Sequence, residues 1–288
     1  MATTTTTAGR RLARDAPPEA YFVVSATFHY LGPAFAVLLF ARVDVLGVAW
    51  LRIASAAAIF ALWRRPWRHV AGAWRLLLAW GTVLAVMNST FYLAIDRLAL
   101  GTVAAIEFLP VVLLAALGTR TPRNVAAIAL AVPGVYLLTD VALEGDPLGV
   151  AFAFANAALF AGYIMVGHRA AQRGAGLGID LLGTAMLIAA VVATPIGAWA
   201  AVPALSDPVA IAAGVGVGIS SSVIPYVTDQ LAMARMARST YALMVALLPA
   251  TATVIGIVVL AQLPTALEAL GVGLVIAGVA VHRDAEAA

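Results

Sequence analysis

Long apolar runs broken by short polar turns set the rhythm of this 288-residue chain. The runs lack the polar face that recurs about every 3.6 residues in a surface helix. A bilayer core of about 30 Å asks for roughly 20 apolar residues per helix. Ten stretches meet that demand: Tyr21 to Phe40, Val45 to Trp63, Leu76 to Ile95, Leu98 to Gly118, Asn124 to Thr139, Leu148 to Gly167, Leu181 to Val202, Val209 to Thr228, Thr240 to Ala261 and Thr265 to Val281. The pattern predicts an all-α integral membrane protein with ten transmembrane helices. Residues 1–20 are polar, threonine-rich and basic, and read as a disordered cytoplasmic tail. The run after them is too long for a secretory h-region and lacks a small-x-small cleavage site, so it reads as an uncleaved span.

Composition agrees. The chain is 63% hydrophobic and 11% charged, against about 25% charged in soluble domains. Without cysteine there is no disulfide framework, thiolate nucleophile or cysteine metal site. Every basic side chain apart from histidine is arginine, which with the abundant alanine points to a GC-rich bacterium and its cytoplasmic (inner) membrane. The net charge of +3 fits arginines held against anionic lipid, not a nucleic-acid surface.

Arginine placement fixes the orientation, because positively charged short loops stay cytoplasmic. With the N-terminus inside, the cytoplasmic segments hold Arg10, Arg11, Arg14, Arg64, Arg65, Arg68, Arg75, Arg120, Arg123, Arg169, Arg173, Arg235, Arg238 and Arg283. The outer loops hold only Arg42 and Arg97, and collect Asp44, Asp96, Asp140, Glu144, Asp146 and Asp207. Both termini are therefore expected in the cytoplasm.

An internal repeat divides the spans. VDVLGVAWLRIASAAAIFALW (Val43 to Trp63) lies over IDLLGTAMLIAAVVATPIGAW (Ile179 to Trp199) without a gap, pairing Asp44 with Asp180, Gly47 with Gly183 and Trp63 with Trp199. Phe91-Tyr92 and Pro225-Tyr226, then Pro110 and Pro249, repeat the offset approximately. Two five-helix halves follow, residues 21–142 and 148–283. An odd number of spans per half inverts the second, a plan that recurs in secondary transporters with the substrate site at the repeat interface near mid-membrane.

Within the apolar runs a few polar residues stand out. Glu107 lies about 13 Å into the fourth span at 1.5 Å per residue, and Arg52 reaches a similar depth in the second. A charge at the bilayer centre costs at least about 2.5 kcal/mol, so mutual contact or a shared aqueous cavity is expected. Asn88, Asn156, His29, Tyr92 and Tyr226 complete a polar layer suited to a small zwitterion or polyol, with hydroxyls from Ser220, Ser221 and Ser222. Each has a structural alternative: serines back-bond to their own helix, asparagines tie helices together, His29 sits at a helix interface, and Glu107 and Arg52 form an ion pair with no further role. GVGVG (Gly214 to Gly218) has no preceding strand and no lysine, so it reads as close helix packing and not a phosphate loop. GAGLG (Gly174 to Gly178) reads as a flexible cytoplasmic link, and Asp229 with Arg235 and Arg238 as a solvated turn. Kinks at Pro110 and Pro225 are expected to flank the polar layer.

Together VDVLGVAWLRIA with Arg52, MNSTFYLAI (Met87 to Ile95), LGTVAAIEF (Leu100 to Phe108), AVPGVYLL (Ala131 to Leu138) and SSVIPYVTDQLAMARMARSTYALM (Ser221 to Met244) resemble the drug/metabolite transporter superfamily in its EamA-type ten-span form. The likeness is greatest to bacterial threonine/homoserine exporters and covers Tyr21 to Arg283. It implies efflux of small amino acids or related metabolites in exchange for protons. The chain departs from the pattern where such proteins often carry glutamates around the ninth span: Leu248 precedes Pro249, and Ala261, Gln262 and Leu263 follow. That leaves Glu107 as the proton carrier deep in the membrane.

The expected mechanism has the two halves rocking about a central cavity in alternating access. Glu107 takes a proton or the substrate ammonium, Arg52 holds it or meets the substrate carboxylate, and Asn88, Tyr92, Asn156, Tyr226, His29 and Ser221 line the site. Export of another polar metabolite or a drug is the alternative. A membrane enzyme would need a catalytic cluster that the sequence lacks, and a channel a polar stripe that is also missing, so neither enzyme activity nor a cofactor or metal is expected. Monomer and homodimer both stay open.

Overall fold

The structure, a computed structural model, describes residues 17–64, 67, 74–118, 121–171, 175–235 and 248–281. The tail at 1–16, the start of the ninth expected span from Thr240, Gly174, and Arg65, Arg68, Arg120, Arg173, Arg238 and Arg283 lie outside them. Among the described residues the regular structure is entirely helical. The helices are α1 Pro18–Leu39, α2 Val45–Arg64, α3 Trp74–Ile95, α4 Leu100–Gly118, α5 Pro122–Gly145, α6 Pro147–Ala171, α7 Ala175–Gly197, α8 Pro208–Gly218, α9 Ile224–Met233, α10 Leu248–Leu260 and α11 Ala266–Val281. A π-helical segment, Ile219–Val223, joins α8 to α9, and a 3₁₀ segment, Trp199–Ser206, follows α7. Six helical stretches are long and apolar enough to cross a membrane: Glu19–Leu39, Val45–Arg64, Trp74–Ile95, Pro147–Ala170, Leu177–Gly197 and Pro208–Met233. Four shorter apolar helices occupy Leu100–Pro110, Pro122–Leu138, Leu248–Leu260 and Ala266–Gly278.

Three expectations change at this level. Helix α1 begins at Pro18, so the end of the expected tail is helical; proline at the first helical position has its φ already set. Helix α7 begins at Ala175, so Gly176 and Gly178 form its first turn instead of a link. It also ends at Gly197, short of Val202, where Gly197 lies against the backbone of Leu46 and the chain tightens into the proline-containing 3₁₀ segment.

Three of the aspartates expected in outer loops have a second physical role. Asp44 accepts from Leu46 N at 2.9 Å, Asp146 from Gly149 N at 2.8 Å and Asp207 from Val209 N at 2.9 Å. Each satisfies an orphan N–H at a helix start, where a negative charge also meets the positive end of the helix dipole. Thr265 and Glu268 cap α11 reciprocally, with Glu268 N donating to Thr265 Oγ1 and Thr265 N to Glu268 Oε2. Helix α4 is capped from elsewhere in the chain: Leu100 N donates to Gln262 Oε1 at 3.0 Å. Among the described residues, ion pairs join Arg42 to Asp207 at 3.1 Å, Arg97 to Asp146 at 3.0 Å and Arg64 to Asp180 at 2.6 Å.

Packing is mostly between helices distant in sequence. Helix α2 lies on α7 and α8, α5 on α11, α3 on α6 and α7, α1 on α9 and α10, and α4 on α10, α6 and α5. In lipid there is little hydrophobic gain from joining helices, so close backbone approach carries the association. A Cβ on Gly134 would stand 2.7 Å from the Gly271 carbonyl oxygen, and one on Gly278 2.8 Å from that of Ala127, so α5 and α11 touch backbone to backbone. In GVGVG the close-packing expectation holds for Gly214 and Gly218, which meet Leu51 and Ser55, whereas Gly216 faces open space.

Gly271→Leu is therefore expected to separate α11 from α5 and lower stability by about 1–3 kcal/mol, the usual cost of overpacking. Gly273→Ala, with nothing within 4 Å of its Cβ position, is the neutral control; both are read as Tm in detergent. Asp207 gives a pH signature. Its hydrogen bonds, that from Ala210 N foremost, hold its carboxyl below the usual carboxylate range. The stability it contributes is present above the unfolded-state pKa of about 3.9 and is lost as pH falls through the lower folded value. Asp207→Ala is thus expected to lower Tm at pH 7 and to converge with the wild type near the acid limit.

Candidate functional site

The polar layer is assembled by α1, α2, α3, α4, α6, the π-helical segment and α9. Arg52 is 3% exposed, yet its partners are neutral. Its Nε donates to Ser222 Oγ at 2.8 Å, and its Nη2 to the Ser221 carbonyl at 2.7 Å and to Tyr226 Oη at 3.4 Å. The guanidinium carbon stands 5.3 Å from the centre of the Tyr92 ring, a cation–π contact. The Ser221 carbonyl is available because the residue four positions on is Pro225, which has no N–H to close the helical hydrogen bond. Two glycines bring the walls together. A Cβ on Gly218 would lie 2.8 Å from the Arg52 carbonyl oxygen, and one on Gly32 2.7 Å from Ser221 N. Hydrogen bonds to a charged group are worth about 1.5–3 kcal/mol each, so the two short ones offset a mid-membrane charge penalty of roughly 2.5–3.5 kcal/mol.

Glu107, 2% exposed, is held separately. Its Oε1 accepts from Asn156 Nδ2 of α6 at 2.8 Å, and its Oε2 from Tyr30 Oη of α1 at 3.4 Å. Neither Glu107 nor Arg52 takes part in an ion pair among the described residues. The direct contact that their matching depth allowed is thus replaced by two neutral cradles, because the helices turn the side chains toward different neighbours.

Tyr226 links the Arg52 cradle to Asn88. It accepts from Arg52 and donates to Asn88 Oδ1 at 3.4 Å, while Asn88 Nδ2 back-bonds to the Leu84 carbonyl at 2.7 Å. The His29 ring lies between Tyr30 and Tyr226, with centroids 5.3 Å from the first and 6.3 Å from the second. Ser220 back-bonds to Gly216 as its structural alternative predicts, but Ser222 is spent on Arg52. Among the described residues three buried atoms of the layer, Tyr92 Oη, Asn156 Oδ1 and Ser221 Oγ, make no hydrogen bond of good geometry, although Tyr92 Oη lies near Ser221 and Arg52. An unmatched buried polar atom costs about 1–3 kcal/mol, so three in one layer mark a place where polar atoms of something else belong.

Asp229 was expected in a solvated turn. Instead it is 7% exposed inside α9 and accepts from Ser25 Oγ at 2.6 Å. The eighth span runs on past Thr228 to Met233, so the carboxylate stays within the bundle, and Arg235 stacks on Tyr21 with its guanidinium carbon 5.2 Å from the ring centre. Asp229 follows Tyr226 by three residues, the spacing that puts two side chains on one helix face, and that was the available signal. A cavity of about 30 Å³ lies beside it, lined by His29, Tyr163 and Gly167 among others. At the other end of the layer a recess of about 370 Å³ opens between the α3–α4 and α10–α11 turns and reaches Thr102 and Thr253.

The arrangement offers a carboxylate and a guanidinium, each held by neutral groups, with unmatched hydroxyl and amide atoms beside them. Among the described residues no group of three or more histidine or acidic side chains is placed to hold a metal.

Comparison with known proteins places this geometry in a family. The pattern of the EamA-like transporter family matches residues 147–282. The threonine/homoserine exporter RhtA of Escherichia coli (strain K12) is 34% identical over 251 residues, covering 85% of this chain and 84% of its own length. That of Salmonella typhimurium (strain LT2) is 33% identical with the same coverage. A crystal structure of a protein 20% identical aligns with a TM-score of 0.60 over 91% of this chain and 97% of its own, a likeness of fold alone. With helices apolar enough to span a membrane several times and relatives that are exporters and not enzymes, the chain belongs to the EamA-like transporter family of the drug/metabolite transporter superfamily.

Proposed function

We propose that the protein exports small neutral amino acids of the threonine and homoserine class across the bacterial cytoplasmic membrane, by alternating access coupled to protons. The observation that carries the reading is the separate housing of Glu107 and Arg52. Two opposite charges that do not neutralise each other suit a zwitterion, whose ammonium would meet Glu107 and whose carboxylate would meet Arg52. Unmatched Tyr92, Ser221 and Asn156 atoms would receive its hydroxyl and remaining polar atoms. The substrate class draws support from relatives named threonine/homoserine exporters that share 34% identity over most of their length.

Ten crossings in two inverted halves, residues 21–142 and 148–283, are part of the same reading. The packing supports it: exchanging each helix for its counterpart in the other half turns the α3–α6 contact into that of α9 and α1, and the α4–α6 contact into that of α10 and α1. Contacts of α2 with α7, and of α5 with α11, map onto themselves, as they would beside a pseudo-two-fold axis. With both termini in the cytoplasm, the large recess lies on the outer side and the small cavity on the inner side. Neither is lined by Arg52 or Glu107, each at most 3% exposed, so this conformation corresponds to a point of the cycle at which the site is closed to both sides.

Proton coupling follows from competition for one carboxylate. Protonated Glu107 can still accept from Asn156 but binds an ammonium poorly; ionised, it binds the ammonium well. Proton and substrate would therefore occupy the site alternately, which is the condition for antiport.

The test is efflux of labelled threonine and a panel of other amino acids from loaded proteoliposomes, with and without an imposed pH gradient. Glu107→Gln is expected to abolish the gradient stimulation; stimulation that survives removes Glu107 from coupling. Arg52→Lys, which cannot reproduce a planar multi-donor geometry, is expected to raise the half-saturating substrate concentration by about ten- to a hundredfold. Failure to transport any amino acid in the panel would reject the substrate class.

A further inference from the structure

Outside the polar layer, a second set of buried polar atoms stands unmatched. Gln230 of α9 is 0% exposed, and neither its Nε2 nor its Oε1 has a hydrogen-bond partner. Trp80 of α3 is equally buried, with its indole Nε1 unmatched. Both side chains border Gly167 of α6, whose missing Cβ would stand 3.8 Å from Gln230 Nε2 and 3.7 Å from Trp80 Cζ2. The α6 backbone thus passes the pair without offering them a side chain. An unmatched buried amide costs about 1–3 kcal/mol, whereas apolar groups of the same shape are neutral or stabilising there. Leucine and phenylalanine would therefore serve packing better than Gln230 and Trp80 do.

Their position suggests what they are for. Gln230 follows Tyr226 by one helical turn, and the Tyr163 ring bridges the two levels, with centroids 5.4 Å from Tyr226 and 6.4 Å from Trp80. Gly167 also lines the 30 Å³ cavity that holds Ser25, His29 and Asp229. A polar track therefore descends from Arg52 through Tyr226 to Gln230 and Trp80, with the Asp229 carboxylate next in sequence. In this conformation the cavity admits one water; parting of α3, α6 and α9 at this end would admit more.

We propose that Gln230 and Trp80 form a second binding position on the cytoplasmic side of the Arg52 site, which takes the carboxylate or hydroxyl of the transported amino acid before it reaches Arg52. The indole N–H and the amide N–H donate to it, the amide oxygen accepts from a hydroxyl, and Asp229 supplies a negative charge toward the ammonium. This inference rests on the amino-acid reading given above.

The full-length protein, purified with 5-fluorotryptophan, gives ¹⁹F resonances among which Trp80→Phe identifies that of Trp80. Threonine is expected to shift this resonance in the wild type and in Arg52→Ala, but not in Gln230→Leu. A silent Trp80 at threonine concentrations that saturate transport, or a shift that survives Gln230→Leu or disappears in Arg52→Ala, overturns the second position. In transport, Gln230→Leu is expected to raise the half-saturating threonine concentration on the cytoplasmic side about tenfold, with a Tm no lower than the wild type. A lowered Tm with unchanged half-saturation makes the amide structural and overturns the proposal. The same wild-type protein assayed in proteoliposomes separates the two readings: threonine transport with a silent Trp80 rejects only the second position, and no transport of any amino acid rejects both.

Discussion

A guanidinium buried in a bundle of apolar helices has to be surrounded by acceptors, because an uncompensated charge there costs several kcal/mol. In this protein the acceptors are a serine hydroxyl, a freed carbonyl and a tyrosine. The rest of the core is arranged around that need. Pro225 leaves the carbonyl without a helical donor, Gly32 and Gly218 let α1 and α2 close on it, and Tyr92 lies beside the cation. Solving the problem with neutral groups leaves the net charge of Arg52 unspent. A carboxylate partner would have cancelled it and made the pair inert toward a ligand.

The same logic governs Glu107. Asn156 and Tyr30 donate to it, and neither brings a counter-charge. Family membership and site geometry contribute different things: the relatives place the chain among transporters, and the proposed function takes from the side chains how a ligand would be held. Neither supplies the other. The family pattern matches the second half of the chain, while Arg52 and Glu107 lie in the first.

Much of the fold was legible because lipid writes its demands in composition. The apolar runs gave helices close to their observed limits, and counting residues from the outer ends put Arg52 and Glu107 at one depth. What stayed hidden depends on the rotation of each helix about its axis, which an all-apolar run does not reveal. Periodicity cannot orient a helix that is hydrophobic all round, so equal depth left contact and a shared aqueous cavity as alternatives. Asp229 was misjudged because it stands one residue beyond the expected span end, and boundaries are the least certain part of such a reading. Gly176 and Gly178 looked like linker because glycine disfavours helix by about 1 kcal/mol, a preference that packing overrode at the start of α7. The outer aspartates were legible as a charge bias, but their work as caps emerged only with the backbone.

One of those caps is not local. Helix α4, which carries Glu107, begins with its N–H bound to Gln262, 162 residues further along the chain. Gln262 itself follows Ala261, held at a φ of 53° that glycine would adopt more readily, and its N–H closes back on the Gly256 carbonyl at 3.1 Å. The turn thereby ties the start of the helix bearing the buried carboxylate to the connection between α10 and α11, so that all three helices share one polar anchor.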